Sequence, residues 1–310
     1  MSDMFRGGRT IFGIGLIWLT VGGCTGKPDS ASGKLSFQEQ IARAQGETDP
    51  AYRARRLIVI GYRQGKAADR AGAVETLKSA WKDCGVISDA AARSNAWALM
   101  AEVHAGLRNR SEARWAVAEA LTAAEKIESA EGKVVALARA AEVQYLAVDR
   151  ATAESTLRSA EKLAEKIDDP QGKTLSWCAI AEAYWNIDQK DQAERVLGVA
   201  LNFADSLADL KKRCSALAEI AAEEAGLGRR EAATRTFELS LESARGIEDL
   251  YARAYAMGEL AKKLSAAGFH AMAHEVLDQA ESEAAKIPQP DLQRQALEKI
   301  RVLMGKLPKG

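Results

Sequence analysis

One feature limits what this 310-residue chain can fold into: it repeats itself every 40 residues. Ala193 recurs as Ala73, Ala113, Ala153, Ala233 and Ala273, and Leu197 recurs as Leu77, Val117, Leu157, Phe237 and Leu277. The same step joins Ala181 to Gly61, Ala101, Ala141, Ala221 and Ala261, and it joins Ile87, Ile127, Ile167, Leu207, Ile247 and Ile287. Within one unit Trp177, Ile180, Ala181 and Tyr184 fall at i, i+3, i+4 and i+7, one face of a helix. Ala193, Leu197, Ala200 and Ala204 form a second apolar stripe beyond a polar gap. Neither helix can bury its stripe alone, so the unit is a helix pair and the chain is a stack of such pairs.

Trp177, Ile180, Ala181, Tyr184, Ala193, Leu197 and Ala200 reproduce the order and spacing of the tetratricopeptide repeat, and the chain resembles that family over residues 54 to 287. The resemblance implies an all-α, right-handed solenoid of six 40-residue helix pairs, with a capping helix at each end. Two departures stand out. The usual repeat has about 34 residues, and the Pro that closes it is replaced here by Asp205. The apolar stripe instead runs on to Leu207, which predicts a second helix lengthened by more than a turn.

Ala, Leu, Glu, Lys and Arg dominate, Pro is scarce and alternating β-branched patterns are nearly missing, all of which favour helix. Forty-three basic residues balance 43 acidic ones, so no net positive charge recruits nucleic acid. A solenoid needs no single large core, and the length therefore does not require a second globular domain.

The organisation predicted along the chain begins with a signal peptide at residues 1–23. Arg6 and Arg9 give it a positive start, and Thr10 to Leu19 form an apolar run too short to span a bilayer comfortably. Val21-Gly22-Gly23-Cys24 resembles the bacterial lipobox. That resemblance implies a lipoprotein whose mature first residue, Cys24, carries diacylglycerol and a palmitate-type acyl chain. Each buried methylene contributes about 0.8 kcal/mol, so two or three chains hold a soluble domain on a membrane. Thr25 after the Cys, in place of Asp, implies sorting to the outer membrane if the cell has two membranes.

Residues 24–35 read as a flexible tether, 36–50 as an N-terminal capping helix containing Phe37 and Ile41, 51–287 as the repeats, and 288–310 as a C-terminal capping helix and tail. First helices are predicted near 51–65, 89–107, 130–147, 171–186, 210–226 and 250–267. Second helices are predicted near 68–86, 110–127, 150–167, 189–207, 229–246 and 269–287, and a last helix over 291–305. Ser88-Asp89 and Asp169-Pro170 supply helix starts, and Gly226 and Gly228 a helix end.

The family resemblance also implies a groove lined by fixed first-helix positions. Carried onto this chain, these give Arg55 and Tyr62, then Asn95 and Glu102, then Glu142 and Tyr145. Further along they give Glu182, Trp185, Tyr255 and Lys262. Glu102, Glu142 and Glu182 form a carboxylate column beside Tyr145 and Trp185, suited to a basic or apolar peptide or helix. The bland alternative is a solvated stripe that keeps the stack soluble.

Other constellations carry less. His270 and His274 stand four apart on one helix, but His104 is the only other His and no shell for a metal assembles. Cys178 and Cys214 lie on neighbouring first helices, where buried thiols and a disulfide are both open. Gly172-Lys173-Thr174 lacks the earlier Gly of a phosphate loop, since Ile167 stands there. No catalytic set can be assembled and no cofactor is implied. The reading is a membrane-tethered, non-enzymatic scaffold for an envelope protein or peptide, with a regulatory adaptor of an envelope hydrolase as the alternative.

Overall fold

A computed structural model describes residues 35 to 308. The predicted signal peptide, Cys24, the predicted tether as far as Lys34, and residues 309 and 310 lie outside the described residues. Among the described residues there are 14 α-helices and no strand. The chain divides into two compact units, residues up to Asp83 and residues from Cys84 onward.

The first unit holds α1 (Phe37–Gln45), α2 (Pro50–Lys66) and most of α3 (Arg70–Val86). α1 opens with a capping box, in which Ser36 Oγ accepts from the Glu39 N–H and the Glu39 carboxylate accepts from the Ser36 N–H. Gly61 on α2 is a close-approach position. A Cβ there would stand 2.7 Å from Leu77 Cγ, so α2 and α3 meet at a distance that only Gly allows. Thr76 Oγ1 donates to Gln64 Oε1 at 2.7 Å in the same buried contact.

The second unit continues with α4 (Ala90–Gly106), α5 (Arg110–Glu125), α6 (Ala130–Ala147), α7 (Arg150–Ala164), α8 (Pro170–Asn186) and α9 (Lys190–Ser206). It ends with α10 (Leu210–Gly226), α11 (Arg230–Arg245), α12 (Leu250–Ala266), α13 (His270–Ala284) and α14 (Pro290–Lys306). Each even-numbered helix pairs with the odd one after it, and each odd one also touches the next even one. The even-numbered helices, from α4 to α14, pack in series on one another. This is a helical-repeat solenoid in which first helices form one continuous layer and second helices lie behind it.

The repeated columns explain why the pairs close. Ala113, Ala153, Ala193, Ala233 and Ala273 are all fully buried, as are Ala120, Ala160, Ala200 and Ala280. Methyl-sized side chains at every crossing let backbones approach closely enough for side-chain bonds to the facing helix. Ser94 Oγ donates to the Ala120 carbonyl at 2.9 Å, and Ser240 Oγ donates to the Cys214 carbonyl at 2.8 Å. Around these crossings sit Leu157, Trp177, Ile180, Tyr184 and Leu197, then Phe237, Met257, Leu260 and Leu277. Glu224 is a buried polar member of the first-helix layer, and its Oε2 accepts from Thr236 Oγ1 at 2.7 Å.

Loop chemistry repeats as faithfully as the core. Asp89, Ser129, Asp169, Asp209 and Asp249 each accept a backbone N–H of the first turn of a first helix, as Asp49 does in the first unit. Pairs turn through a left-handed residue, with Arg108, Asp188, Gly228 and Gly268 all at φ between 60° and 80°. The N–H after each returns to a carbonyl five residues back, at 2.8 Å from Asn109, Gln189, Arg229 and Phe269. Val148, β-branched, stands in the same column but stays at φ −119°, and its helix α6 runs one residue longer than the other first helices of the unit.

The borders of the paired helices and of the last helix fall within three residues of those predicted, whereas α1 ends at Gln45, five residues short of the predicted limit. The predicted lengthening does not fall on the second helix alone. Second helices have 15 to 17 residues and first helices 17 or 18, so the length of the unit is shared between them. Leu207 is not helical: its ψ of 116° is extended, and α9 ends before it. Ile127, Ile167, Ile247 and Ile287 likewise lie past the helix and are buried in the loop. The stripe continues because the loop residue plugs the junction between repeats. Replacing the fully buried Ala193 with Trp overpacks a crossing and is expected to cost about 1–3 kcal/mol or more. Urea unfolding of the variant measures this, and a midpoint equal to that of the parent contradicts the account of the crossing.

Candidate protein-binding face

The face of the first-helix layer turned away from the second helices carries an ion-pair ladder across α4, α6, α8, α10 and α12. It starts at Glu102 on α4, which is only 5% exposed and accepts from Arg139 Nη2 of α6. Arg139 Nη1 also donates to Glu142 Oε2 at 2.6 Å, one turn along its own helix. Glu142 Oε1 accepts from Asn186 Nδ2 of α8 at 2.7 Å. At the far end Lys263 Nζ of α12 lies 2.7 Å from Glu219 Oε1 of α10.

Two carboxylates between these ends have no counter-ion. Glu182 on α8 and Glu223 on α10 are half-buried, and neither has a hydrogen-bond or ion-pair partner among the described residues. Burial pushes Glu182 up to about 7, the negative charge of Glu142 adds to the rise, and Arg139 opposes it. Burial likewise pushes Glu223 up to about 8, reinforced by Glu182, Glu142 and Glu219. The buried Cys178 thiol, one turn before Glu182, is held far above its ordinary range by burial and then by Glu223, Glu219 and Glu182. A thiol held protonated in this way is inert as a nucleophile.

Arg139 keeps its charge against the cost of burial because two carboxylates share it. Even so, burial leaves the Glu102 carboxyl above its ordinary range.

The predicted groove residues are not equivalent. Glu102 belongs to the buried end of the ladder and offers no open carboxylate. Glu142, Tyr145, Glu182 and Trp185 are half-buried on α6 and α8, and Arg139 joins Glu102 to Glu142, with Glu182 left out. Lys190 Nζ stands 5.2 Å from the centre of the Trp185 ring. Asn95 is exposed at the start of α4. Tyr255, 48% exposed on α12, is covered on one side by Lys299 Nζ at 3.7 Å from its ring centre. Lys262 pairs with Glu259 at 2.8 Å. In the first unit Arg55 and Tyr62 are half-buried on α2, with Lys66 Nζ 5.4 Å from the Tyr62 ring centre.

Sequence reasoning missed Arg139, Asn186, Glu219, Glu223 and Lys263. Arg139 was legible as an i, i+3 partner of Glu142. Glu223 sits one place beyond the column, because Ala222 occupies the position that Glu182 holds in the preceding repeat.

His274 Nε2 lies 3.0 Å from the Pro308 carbonyl, which ties α13 to the end of the chain. Cys84, Cys178 and Cys214 are buried thiols rather than disulfide halves. Among the described residues no group of His, Cys, Asp and Glu is arranged to hold a metal ion, and no helix is long and apolar enough to cross a membrane.

Fold and face together define an all-α protein built of helix-pair repeats, with a charged first-helix face. No family model matches the chain, and no curated protein matches it. Among solved structures it is similar to Ton1535 from Thermococcus onnurineus NA1, at 13% sequence identity and a TM-score of 0.40, over 85% of this chain and 94% of that one. It is also similar to a Rap protein complexed with Competence and Sporulation Factor, at 14% identity and a TM-score of 0.34, over 87% of this chain and 79% of that one. A third is BtubC (BKLC) from P. vanneervenii, at 14% identity and a TM-score of 0.34, over 89% of this chain and 95% of that one.

Replacing Arg139 with Met strands Glu102 in a buried setting and is expected to cost about 3–5 kcal/mol of stability. Adding Glu102→Met in the same chain is expected to restore most of the loss. Urea unfolding of the single and double variants checks both. Equal midpoints for the two variants would show that the Arg139–Glu102 pair is not what orders the α4–α6 contact.

Proposed function

We propose that the chain is a membrane-tethered, protein-binding scaffold of a bacterial cell envelope, which holds a basic peptide or helix against its first-helix face. The observation that carries this reading is the interruption of the ladder. Every other carboxylate in it has a cation or amide, whereas Glu182 and Glu223 present two acids with none. A lysine or arginine side chain from a partner would supply the missing charge, and Trp185 and Tyr145 beside it provide rigid contact area. Binding and positioning, without bond chemistry, is the activity this arrangement supports.

The cellular setting rests on the amino-terminal sequence. A lipid on Cys24 and a short tether would hold the repeats at the cell or outer membrane, facing the periplasm.

Two experiments test these parts separately. A photo-crosslinking residue placed at Trp185 or Tyr145 in living cells is expected to capture a partner segment rich in Lys or Arg. The same residue at Arg158 on the second-helix side is expected to capture nothing comparable, and the reverse pattern moves the site to the other face. Cys24→Ala is expected to shift the protein out of the membrane fraction, and a variant that stays there refutes the lipid anchor.

A further inference from the structure

The outward side of α2, in the first unit, carries charge of one sign. Tyr52, Arg55, Arg56, Val59, Arg63 and Lys66 fall within about 100° of the helix circumference, opposite the buried Ala54, Leu57, Gly61 and Gln64. Tyr52, Arg56, Arg63 and Lys66 are exposed, Arg55 and Val59 are half-buried, and the stripe contains no Asp or Glu. Arg53, to one side, pairs with Asp83, and Arg56 pairs with Glu47 at 2.8 Å and lies 5.2 Å from the centre of the Tyr52 ring. Arg55 and Arg63 have no ion-pair partner among the described residues.

Stacking does not demand such a stripe. At the 40-residue step Arg56 becomes Ala96, Ala136, Ser176, Ala216 and Ala256, and Arg63 becomes Val103, Val143, Ala183, Glu223 and Lys263. Ala96, Ser176 and Ala216 are buried, as are Val103, Val143 and Ala183. No first helix precedes α2, and there both columns turn to arginine. Solubility asks only for a polar outer face on a cap. The last helix, α14, meets that need with both signs, Arg294 beside its own Asp291 and Arg301 beside Glu281 of α13. Residues 35–83 hold nine basic against six acidic residues, whereas residues 84–310 hold 30 against 35, so an anionic surface attracts the first unit in preference to the rest. Leu35, where the described fold begins, is eleven residues from Cys24, a stretch that spans at most about 40 Å. A lipid on Cys24 would therefore keep a bilayer within reach of this unit.

We propose that the outward stripe of α2 is a docking face for anionic lipid headgroups: its four cations meet the phosphates, and Tyr52 and Val59 between them enter the headgroup layer. Tyrosine suits that depth, with an apolar ring and a hydroxyl that stays wet. A tether limits distance and leaves orientation free, whereas a one-sign face selects which side of the unit meets the membrane. Docking rests on the lipid-anchor reading only for the nearness of a bilayer, since the charge of the stripe is independent of it.

The test uses the chain from residue 24 onward with Cys24→Ser, so that no acyl chain contributes. Sedimentation is expected to show binding to vesicles containing phosphatidylglycerol and none to vesicles of phosphatidylcholine alone. Binding is expected to be lost in 1 M salt, which shortens the screening length to about 3 Å. Arg56→Gln with Arg63→Gln is expected to weaken binding roughly twenty-fold, about fivefold for each cation removed. Arg56→Lys with Arg63→Lys keeps the charge and is expected to keep the binding. Arg158→Gln with Lys162→Gln, two exposed cations on α7, removes the same charge and is expected to leave binding unchanged. Equal binding to both kinds of vesicle, or equal weakening by the two Gln pairs, overturns the α2 face. Absence of binding to either vesicle overturns it as well, whatever becomes of the lipid anchor, which the Cys24→Ala fractionation reads separately.

Discussion

Close approach of two helix backbones at each pair is the constraint from which the rest of the structure follows. Larger side chains at Ala153, Ala193 or Ala233 would hold the axes apart, and the Ser-to-carbonyl bonds seen at Ser94 and Ser240 could not form. In the first unit the demand is stricter, since Gly61 faces Leu77 and leaves no room for a methyl group. Bulk is supplied beside the crossing rather than in it, by Leu157, Leu197, Phe237 and Leu277. A repeat protein has no distant contacts to compensate a poor local one, because each unit touches only its neighbours. The small-residue columns are therefore the most regular feature of the sequence.

That regularity also determines what could be read in advance. Ala193 and Leu197 with their equivalents give the period, and the period gives every paired helix to within three residues. The cap column is equally legible, and Asp89 and Asp169 are two of its members. Asp49, Ser129, Asp209 and Asp249 sit at the same 40-residue step and do the same work. Leu207 shows where periodicity misleads. An apolar residue in register says that a position is covered, not that its backbone is helical, and here the covered residue closes a loop. The turn column makes a similar point. Arg108 and Asp188 adopt the left-handed conformation that Gly228 and Gly268 adopt freely, at a cost of about 1–2 kcal/mol each. Stacking over-determines the turn, so composition alone would not reveal it.

Polar groups inside the stack follow a different logic from the alanines. Gln64 with Thr76 and Glu224 with Thr236 occupy the same pair of positions in their repeats and are joined by bonds of 2.7 Å. Where the first position is Leu264 the second is Val276, and both are buried. The pairing is not universal: Gln144 and Thr156 hold the same two positions, yet Thr156 Oγ1 donates to the Thr152 carbonyl instead. Arg53, Arg93 and Arg253 form another repeated set, each donating to a carbonyl of the loop six residues before it. These bonds tie each first helix to the loop that leads into it.

Function on such a stack must be written into residues that break the repeat, because those that keep it are consumed by stacking. The candidate face illustrates this. Glu102, Glu142 and Glu182 keep the period, yet Arg139 reaches back from α6 and neutralises the first two only. At the next repeat the acid moves one place along the helix, from the column position at Ala222 to Glu223, and Ala179 stands where an arginine equivalent to Arg139 would be. A column read from sequence therefore predicted three like acids, whereas the fold separates two satisfied ones from a displaced, unsatisfied pair. The absence of a cation at Ala179 is the physical difference. It turns a ladder of paired charges at α4 and α6 into a place between α8 and α10 where two acids lie without a counter-ion.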